Sequence, residues 1–325
     1  MLIVKQRKVP IVVRKLEALL RRLPPDHRKR PEISDQLARR MAGYRGELAI
    51  DYHLGYLLKE NYLILHDLRL TDGERFFQID TLILSPHYFL ILEVKNISGT
   101  LVFDHNYKQL IRVSGEKEEG FADPVLQAER HRVQLQDWLS AQKLPQVPIE
   151  MLVVMSNPNT VIKNTLLNLD PSTSKRVIHG ANLLLKIKIY EKVHAKELLN
   201  PQQIKKLSRK LVNSHTPSDP QILQKFQIPK EEILTGVECP ECSALPMIRL
   251  HAKWVCTQCG SFSKDAHIAA ITDYKLLIGL SISNYELKNF LHLPSVFVSS
   301  RMFHSMNLHY SGSYRNRSYM LPPED

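Results

Sequence analysis

Two apolar runs joined by a short connection dominate the first half of the chain. Phe76–Leu84 and Tyr88–Val94 have the length and the aromatic and β-branched content of strands, and Pro86-His87 lies between them. The chain has 325 residues, of which 43% are hydrophobic, so it can enclose these strands in a sizeable core and has room for two or three domains. The charged residues inside the two runs therefore need a physical explanation.

The connection between the two runs determines which residues face each other. If it is centred on Pro86-His87 and has an even number of residues, Asp80 lies directly across from Glu93. Glu93 and Lys95 are two residues apart in one strand, so they point to the same face. An odd number of residues would shift the register by one position and separate the two carboxylates.

An opposed pair of carboxylates in an apolar sheet is unfavourable unless a cation binds both. Mg²⁺, or Mn²⁺ in its place, prefers oxygen ligands and often takes one or two carboxylates together with phosphate oxygens of a substrate. Lys95 would then orient or deprotonate an attacking water, or stabilise the negative charge that develops on phosphorus. This chemistry is the hydrolysis of a phosphodiester, although Glu-x-Lys at the end of a strand also occurs by chance.

Four motifs follow one another along the chain: Gly43-x-x-Gly46-Glu47, Ile79-Asp80, Ile91–Asn96 followed by Gly99, and Pro124-x-x-Gln127-x-x-x-His131. Taken in this order, they resemble the nuclease-related domain family, often abbreviated NERD. That family is similar to the restriction-endonuclease-like PD-(D/E)xK fold, and the resemblance covers roughly residues 41–155, under half of the chain. The PD-(D/E)xK motif has a proline immediately before its aspartate. This chain has Ile79 before Asp80, so one identifying residue is missing.

The resemblance implies roles for five residues. Asp80 and Glu93 would bind the metal, and Lys95 would be catalytic. Glu47 on the first helix and Gln127 on a later helix would support them. From the residues alone, Glu47 also fits an acid favoured by the dipole at the start of a helix, and Gln127 fits an exposed helix surface.

The order of the predicted elements is that of a mixed α/β domain. One helix is predicted to begin at Gly43 and to continue through Leu58, and another to begin at Pro124, a favoured first-turn position, and to end near Ala141. The further predicted strands are Tyr62–Leu70, Thr100–Phe103, Leu110–Val113 and Ile149–Met155.

All four cysteines lie close together in the second half of the chain. Cys239-Pro240-Glu241-Cys242 is separated by 13 residues from Cys256-Thr257-Gln258-Cys259. Two such pairs can hold a structural Zn²⁺ through four thiolates, and Trp254 and Gly260 fit a zinc-ribbon-like unit around them. Free reduced cysteines or a redox pair are the alternatives, but a redox pair does not explain two copies.

The C-terminal segment has the pattern of a helix-turn-helix. A capping box at Ser283 precedes the first helix, and His292-Leu293-Pro294 predicts the turn. Tyr310–Tyr319, with Arg315 and Arg317, would form a basic hairpin wing. The alternative is a helical hairpin that packs on the rest of the protein. The residues of the second helix predicted to face a nucleic acid are Ser299, Ser300, Arg301 and His304.

Most of the formal net charge of +11 is near the N-terminus, since residues 1–40 contain 12 Lys or Arg and 4 Asp or Glu. Such an arm suits a phosphate backbone or an anionic membrane surface, or forms a solvated helix face. No apolar run approaches the roughly 20 residues of a membrane span, and no secretory cleavage pattern follows the basic start. We therefore expect a cytoplasmic protein; the oligomeric state is left open.

The predicted fold class is α/β, with a restriction-endonuclease-like mixed sheet flanked by helices, then a helical linker, a small zinc ribbon and a small helical C-terminal domain. The predicted segments are 1–40 (basic helical arm), 41–165 (nuclease-related domain), 166–235 (helical linker), 236–265 (zinc ribbon) and 266–325 (helix-turn-helix-like domain).

Three functional hypotheses follow. The first is a Mg²⁺- or Mn²⁺-dependent nuclease-like hydrolase that cleaves nucleic-acid phosphodiesters, with DNA the favoured substrate and partner. The second is a catalytically inactive nucleic-acid-binding or DNA-processing accessory protein, in which the zinc unit and the C-terminal helices carry the function. A membrane-surface protein held by its basic arm is a third, weaker reading.

Overall fold

The computed structural model describes residues 2–57, 62–104, 106–164, 175–313 and 316–322. The chain divides into two compact units, unit 1 with Met1–Val9 and Met41–Ser218, and unit 2 with Pro10–Arg40 and Asp219–Asp325. Within the described ranges, no helix is both long and apolar enough to cross a lipid bilayer. The helices are α1 (Ile11–Arg21), α2 (Arg30–Leu54), α3 (Pro124–Ala141), α4 (Leu183–Val193), α5 (Pro201–Asn213), α6 (Ile222–Phe226), α7 (His267–Leu277), α8 (Asn284–Leu291) and α9 (Val296–Ser305).

The strands of unit 1 form two sheets. They are β1 (Leu2–Lys5), β2 (Leu63–Thr71), β3 (Phe76–Leu84), β4 (Phe89–Lys95), β5 (Thr100–Asp104), β6 (Gln109–Ser114), β7 (Lys117–Ala122), β8 (Ile149–Met155), β9 (Val161–Asn164) and β10 (Val177–His179). The main sheet has the order β1-β2-β3-β4-β8-β10, and the second sheet has the order β7-β6-β5-β9. In the main sheet β2, β3 and β4 are antiparallel neighbours, whereas β1, β8 and β10 join through parallel pairs.

Helices cover both faces of the main sheet. Apolar side chains of α3 and α5 pack on one face, and those of α2 and α4 pack on the other. Central strands that are buried on both faces appear in the sequence as continuous apolar runs, which is why β3, β4 and β8 can be predicted from sequence. The expected mixed α/β sheet flanked by helices is confirmed.

Helix α3 follows its sequence signals closely. It runs from Pro124 to Ala141, as predicted, and the Asp123 side chain accepts a hydrogen bond of 2.8 Å from the Val125 N–H at its start. This cap satisfies one of the backbone donors that a helix start leaves unpaired. Helix α3 therefore enters the main core with a defined first turn.

Helix α2 differs from the prediction at its start. It begins at Arg30 rather than Gly43, and both glycines of the motif lie inside it. A glycine inside a helix costs only about 1 kcal/mol relative to alanine, so burial of Ile50 and Leu54 can maintain the helix through this region. The helix also ends earlier than predicted, at Leu54 rather than Leu58, because residues 55–57 are not helical; Leu58 itself lies outside the described residues.

The N-terminal segment is not one helical arm. Leu2–Lys5 form strand β1 at the edge of the main sheet, parallel to β2. Helix α1 belongs to unit 2, where its apolar stripe packs against α6. Spacing alone could not show these partners, because both β2 and α6 are distant in sequence. The residues of α1 and its C-terminal extension buried in this core are Leu16, Leu19 and Leu23.

Part of the basic charge in residues 10–40 is neutralised inside unit 2. The Arg22 side chain is 1% exposed, and its Nε donates a hydrogen bond of 2.9 Å to Asp273 Oδ2. Its Nη1 donates to the Gly236 carbonyl at 2.7 Å. Lys15 forms an ion pair with Asp219. This stretch is therefore only in part a solvated basic surface.

The remaining strands of unit 2 form two small sheets. They are β11 (Ile248–Leu250), β12 (Lys253–Val255), β13 (Phe262–Ser263), β14 (Ser281–Ser283), β15 (Tyr310–Ser311) and β16 (Ser318–Met320). The sheet β11-β12-β13 and the sheet β14-β16-β15 contribute to one apolar core. Segments 236–265 and 266–325 thus share a core within unit 2. The shared core includes Cys239, Trp254, Tyr274, Leu287 and Phe303.

The C-terminal segment departs from the prediction at Ser299 and follows it at the hairpin. Ser299, predicted to be exposed, is fully buried, because it lies on the same side of α9 as Met302 and Phe303. The predicted hairpin is present as β15 and β16, which pair antiparallel. Arg315 lies outside the described residues.

Candidate active site and cysteine cluster

The turn between β3 and β4 brings Asp80 and Glu93 to the same end of the two strands. The register predicted for an even-length turn is confirmed, because four residues separate the last residue of β3 from the first residue of β4. Asp80 and Glu93 are the next residues beyond the last backbone pair. There, Oδ2 of Asp80 accepts a hydrogen bond of 2.9 Å from the Val94 N–H. The backbone pairs are Leu84–Phe89, Ile83–Leu90, Leu82–Ile91 and Thr81–Leu92.

The pairing of β2 with β3 is interrupted beside Asp80. The backbone pairs on either side skip Asp67 and Asp80, and Asp67 has a positive φ of 50°. Leu65 and Leu68, three residues apart in β2, lie in the same core, whereas regular alternation would put them on opposite faces. The interruption therefore leaves Asp67 and Asp80 outside the regular ladder, at the point where the strands change face.

Glu93 is held by groups from β4 and α3. Its side chain is 2% exposed. The Lys95 Nζ donates hydrogen bonds to Glu93 Oε1 at 2.7 Å and to Gln127 Oε1 at 3.0 Å. His131 Nδ1 lies 3.3 Å from Glu93 Oε2. Glu93 and Lys95 therefore share a face, as the strand period predicts, and Gln127 and His131 reach them from one side of α3.

Glu47 on α2 forms an ion pair with Arg7, which follows strand β1. The Arg7 side chain is 3% exposed, and its Nε donates a hydrogen bond of 2.8 Å to Asp51 Oδ2. Its Nη1 is 3.5 Å from Asp67 Oδ1, and its Nη2 donates to Thr81 Oγ1 at 2.9 Å. Arg7 therefore joins the helix that carries Glu47 to the two strands beside Asp80.

Burial and neighbouring charges shift the pKa values of the three central carboxylates, raising those of Asp80 and Glu47 and lowering that of Glu93. Burial, and then the charges of Glu93 and Glu47, raise the pKa of Asp80 well above its usual value. Burial, and then Asp67, raise the pKa of Glu47 to about 7, although Arg7 opposes this. Burial also favours the neutral form of Glu93, but His131 and Lys95 outweigh it and lower its pKa. The site thus has more acidic groups than its own cations can balance.

The donor set fits a hard divalent cation. Oε2 of Glu93 is buried and has no well-oriented hydrogen-bond partner among the residues that the structure describes. Asp80 keeps some accessible surface but is closely surrounded by protein, and its charge is opposed by neighbouring carboxylates. A cation bound to these two oxygen donors would relieve both penalties.

Gly46 allows helix α2 to approach the end of β4 closely. A Cβ atom at this position would lie 2.5 Å from Asn96 Cβ and 2.7 Å from Ser156 Oγ. At Gly43, one turn earlier, a Cβ atom would have nothing within 4 Å. The absence of a side chain at Gly46 is therefore what allows Glu47, the next residue, to lie beside the strand ends.

The four cysteines form one cluster in unit 2. Their Sγ atoms all lie within 4.8 Å of one another, and no other group of three or more His, Cys, Asp or Glu side chains comes this close in the described part of the chain. Cys239 Sγ and Cys259 Sγ are 3.7 Å apart, and Cys242 Sγ and Cys256 Sγ are 3.5 Å apart. Zn–S bonds of about 2.3 Å in a tetrahedron require separations of this size. The cluster fits a small zinc ribbon.

Both cysteine pairs sit in matching turns. The Ser243 N–H donates to the Cys239 carbonyl at 2.9 Å, and the Gly260 N–H donates to the Cys256 carbonyl at 3.0 Å. Ser243 and Gly260 both have positive φ, at 57° and 72°. Each turn therefore presents its two thiols from one loop, as a closed four-thiolate site requires.

Comparison with known proteins identifies the segment that carries the carboxylates. Residues 42–156 match the family model of the nuclease-related domain. This segment is a nuclease-related domain. The match covers under half of the chain and lies within unit 1. No curated protein and no solved structure gives a significant match to the chain.

The nuclease-related domain contains all five residues that the sequence singles out for the site. Lys95 and Gln127 are in direct contact with each other, and Glu93 contacts Lys95. Glu47 and Asp80 lie on the other side of the site, near enough for their charges to affect each other. The structure adds His131 as a neighbour of Glu93.

Arg7 is the residue that sequence reasoning missed. It lies outside the nuclease-related domain, and its charge was grouped with the other cations of the N-terminal stretch. The short apolar run Leu2-Ile3-Val4 before it was the available signal, because such a run is typical of a strand. An edge strand parallel to β2 explains how the next residues reach Glu47.

Proposed function

We propose that the nuclease-related domain hydrolyses phosphodiester bonds of nucleic acids, with DNA as the substrate, and requires a divalent metal ion. The observation that supports this most strongly is the grouping of Asp80, Glu93 and Lys95 at one end of β3 and β4. Two carboxylates beside a lysine, in a site with unbalanced negative charge, suit metal-assisted attack of water on phosphorus.

The carboxylates of Asp80 and Glu93 would hold the cation, which lowers the pKa of a bound water and offsets charge on the phosphate when it is present. Lys95 donates hydrogen bonds to Glu93 and Gln127, which fix its ammonium group at the site. An ammonium group in this position stabilises the negative charge that develops on the phosphate oxygens.

Gln127 and His131 act through the residues that they contact. Gln127 orients Lys95 with its Oε1 acceptor, and His131 stabilises the ionised form of Glu93. Glu47 adds negative charge beside Asp80, and Arg7 holds its side chain. These are positioning roles, since none of these four residues requires contact with the scissile phosphate.

A cleavage assay tests the proposal. The purified full-length chain is incubated with Mg²⁺ or Mn²⁺ and with labelled single- and double-stranded DNA and RNA, and wild type is compared with Asp80→Ala and Lys95→Ala. We expect metal-dependent cleavage of DNA by the wild type and a loss of at least about 100-fold in each variant.

Matched controls are Asp137→Asn, an exposed carboxylate on α3, and Lys117→Ala, an exposed lysine on β7. Both should cleave at the wild-type rate. Equal activity in Asp80→Ala, Lys95→Ala and the wild type would refute the assignment of the site. Tight nucleic-acid binding without cleavage under any of these conditions would instead favour the accessory-protein hypothesis.

A further inference from the structure

The C-terminal part of unit 2 has a specific order of helices and strands. Strand β14 leads into α8, whose Ser283 cap accepts a hydrogen bond of 3.2 Å from the Glu286 N–H. Residues 292–295 join α8 to α9, and His292 ends α8 with a positive φ of 56°. Strands β15 and β16 follow, and β16 lies between β14 and β15. This order, with a four-residue connection between the helices, is that of a helix-turn-helix with a β-hairpin beside it.

Packing fixes α9 against the hairpin. Met302 and Phe303 are buried on the inner side of α9. The ring of Phe303 stacks on Tyr319 of β16, with centroids 4.2 Å apart. Arg317 lies over the ring of Tyr310 at 4.3 Å, which connects the two strands of the hairpin. The helix and the hairpin therefore present one combined surface.

The outer side of α9 carries side chains suited to base edges and phosphates. Phe297 is 82% exposed, and Arg301 and His304 follow at helical spacing. An exposed aromatic ring at this position has no role in the core, but it can contact the methyl group of thymine. Arg301 can contact the acceptor edge of guanine or a phosphate.

From α9 through the hairpin the charged residues are all basic, whereas α8 carries one exposed acid, Glu286. From Leu287 to Pro322 the sequence contains no Asp or Glu. Arg301, His304 and Arg317 line a single shallow depression between α9 and β16. Arg249 of β11 is near enough to Arg301 that burial and this like charge lower its pKa. A bound phosphate would relieve the repulsion between the guanidinium groups of Arg249 and Arg301.

We infer that α8, α9 and the β15–β16 hairpin bind double-stranded DNA, with α9 in the major groove and the hairpin against the backbone. The major groove of B-form DNA is about 12 Å wide and admits a helix, whereas the deep, narrow groove of A-form RNA does not. This binding surface shares no residue with the nuclease site, so it stands independently of the proposed cleavage activity.

A binding assay with full-length, zinc-loaded protein tests the inference. Fluorescence anisotropy is measured without added Mg²⁺ or Mn²⁺, on a random-sequence DNA duplex of about 20 base pairs, roughly two helical turns. Single-stranded DNA and double-stranded RNA of the same length are the competitors. We expect the DNA duplex to bind at least about tenfold more tightly than either competitor.

Three variants separate the contributions of Arg301, of Phe297 and of general positive charge to duplex binding. Arg301→Ala should weaken duplex binding about 5- to 100-fold and lower the slope of log affinity against log salt by about 1. Phe297→Ala, at an exposed position that the core does not need, should weaken binding without changing that slope. Lys264→Ala, which removes an exposed cation elsewhere in unit 2, should stay within about twofold of wild type.

The inference is overturned if wild type does not bind the duplex, if double-stranded RNA binds as tightly, or if Arg301→Ala and Phe297→Ala both match Lys264→Ala. Circular dichroism and zinc content establish that each variant is folded. Asp80→Asn serves to separate the two proposals, because it should abolish cleavage and leave duplex binding unchanged.

Discussion

Arg7 and Glu47 form a buried ion pair between the segment after the first strand and helix α2. The pair brings a residue from outside the nuclease-related domain into the candidate site of that domain. Since the same guanidinium group also contacts Asp51, Asp67 and Thr81, Arg7 holds the helix and both neighbouring strands. The N-terminal strand is therefore part of the site's structure.

Removing Arg7 should destabilise unit 1. In Arg7→Ala, three carboxylates that are at most a quarter exposed would lose their shared cation. Breaking a buried ion pair from one side costs about 3–5 kcal/mol, and partial exposure of the carboxylates reduces the expected loss to about 2–4 kcal/mol. Urea unfolding measures the change. Lys8→Ala, which removes the neighbouring exposed cation, is the control, and equal stability of the two variants would contradict this role.

The two glycines of α2 should respond oppositely to alanine. Gly46→Ala would place a Cβ atom 2.5 Å from Asn96 Cβ, so we expect a loss of about 1–3 kcal/mol as the helix moves away from β4. Gly43→Ala meets nothing within 4 Å and should gain up to about 1 kcal/mol from helix propensity. Thermal unfolding of both variants gives the comparison. A stabilising Gly46→Ala would show that the close approach is not required.

The central residues of the site can be predicted from the sequence because the signals that place them are local. The pairing of β3 with β4 depends on a four-residue turn, so the register and the shared end of Asp80 and Glu93 follow from spacing. The helix start at Pro124 is likewise encoded in adjacent residues. Gln127 follows from that start, since it lies one turn into the helix.

Other features depend on contacts between distant parts of the chain. Strand β1 pairs with β2, which is about 60 residues later, and no spacing rule predicts which strand an isolated edge strand will join. Helix α1 packs with α6 in unit 2, about 200 residues away. The predicted exposure of Ser299 is wrong because its side of α9, which also carries Met302 and Phe303, packs in the core of unit 2.

Loss of zinc should destabilise the core of unit 2. Cys239 and Cys256 are 1% and 2% exposed and belong to the same core as Trp254. We expect about one zinc ion per chain in the wild type and none in Cys256→Ser, together with a lower unfolding temperature. Thr257→Ala, an exposed change within the same turn, should keep the metal. Atomic emission measures zinc, and a metal-free wild type that a chelator does not affect would contradict the assignment.

His215 should make the free energy of unfolding decrease as the pH is lowered. Its Nδ1 accepts a hydrogen bond of 3.0 Å from the Arg69 N–H, and burial together with nearby Lys5 lowers its pKa to about 4. The pKa of this histidine in the unfolded chain is near 6.5. Between pH 6.5 and pH 4 the unfolded chain therefore binds more protons than the folded chain, and this contribution to stability is lost as pH falls. His215→Asn keeps an acceptor but does not titrate.

The measurement is urea unfolding of wild type and His215→Asn from pH 7.5 to pH 4. Relative to the variant, wild type should lose about 1–2 kcal/mol across this range, after allowance for the partial exposure of His215. A stability difference that does not change with pH would contradict the neutral, hydrogen-bonded state of this histidine.

The most direct test of the proposed metal-dependent site is the single-turnover rate of DNA cleavage as a function of Mg²⁺ or Mn²⁺ concentration. The wild type should show a rate that rises and saturates with the metal. Glu93→Gln, which keeps the shape of the side chain but removes its charge, should lower the rate at least about 100-fold at any metal concentration. A Glu93→Gln variant that cleaves at the wild-type rate, or a wild-type rate that does not depend on added metal, would contradict the proposed site.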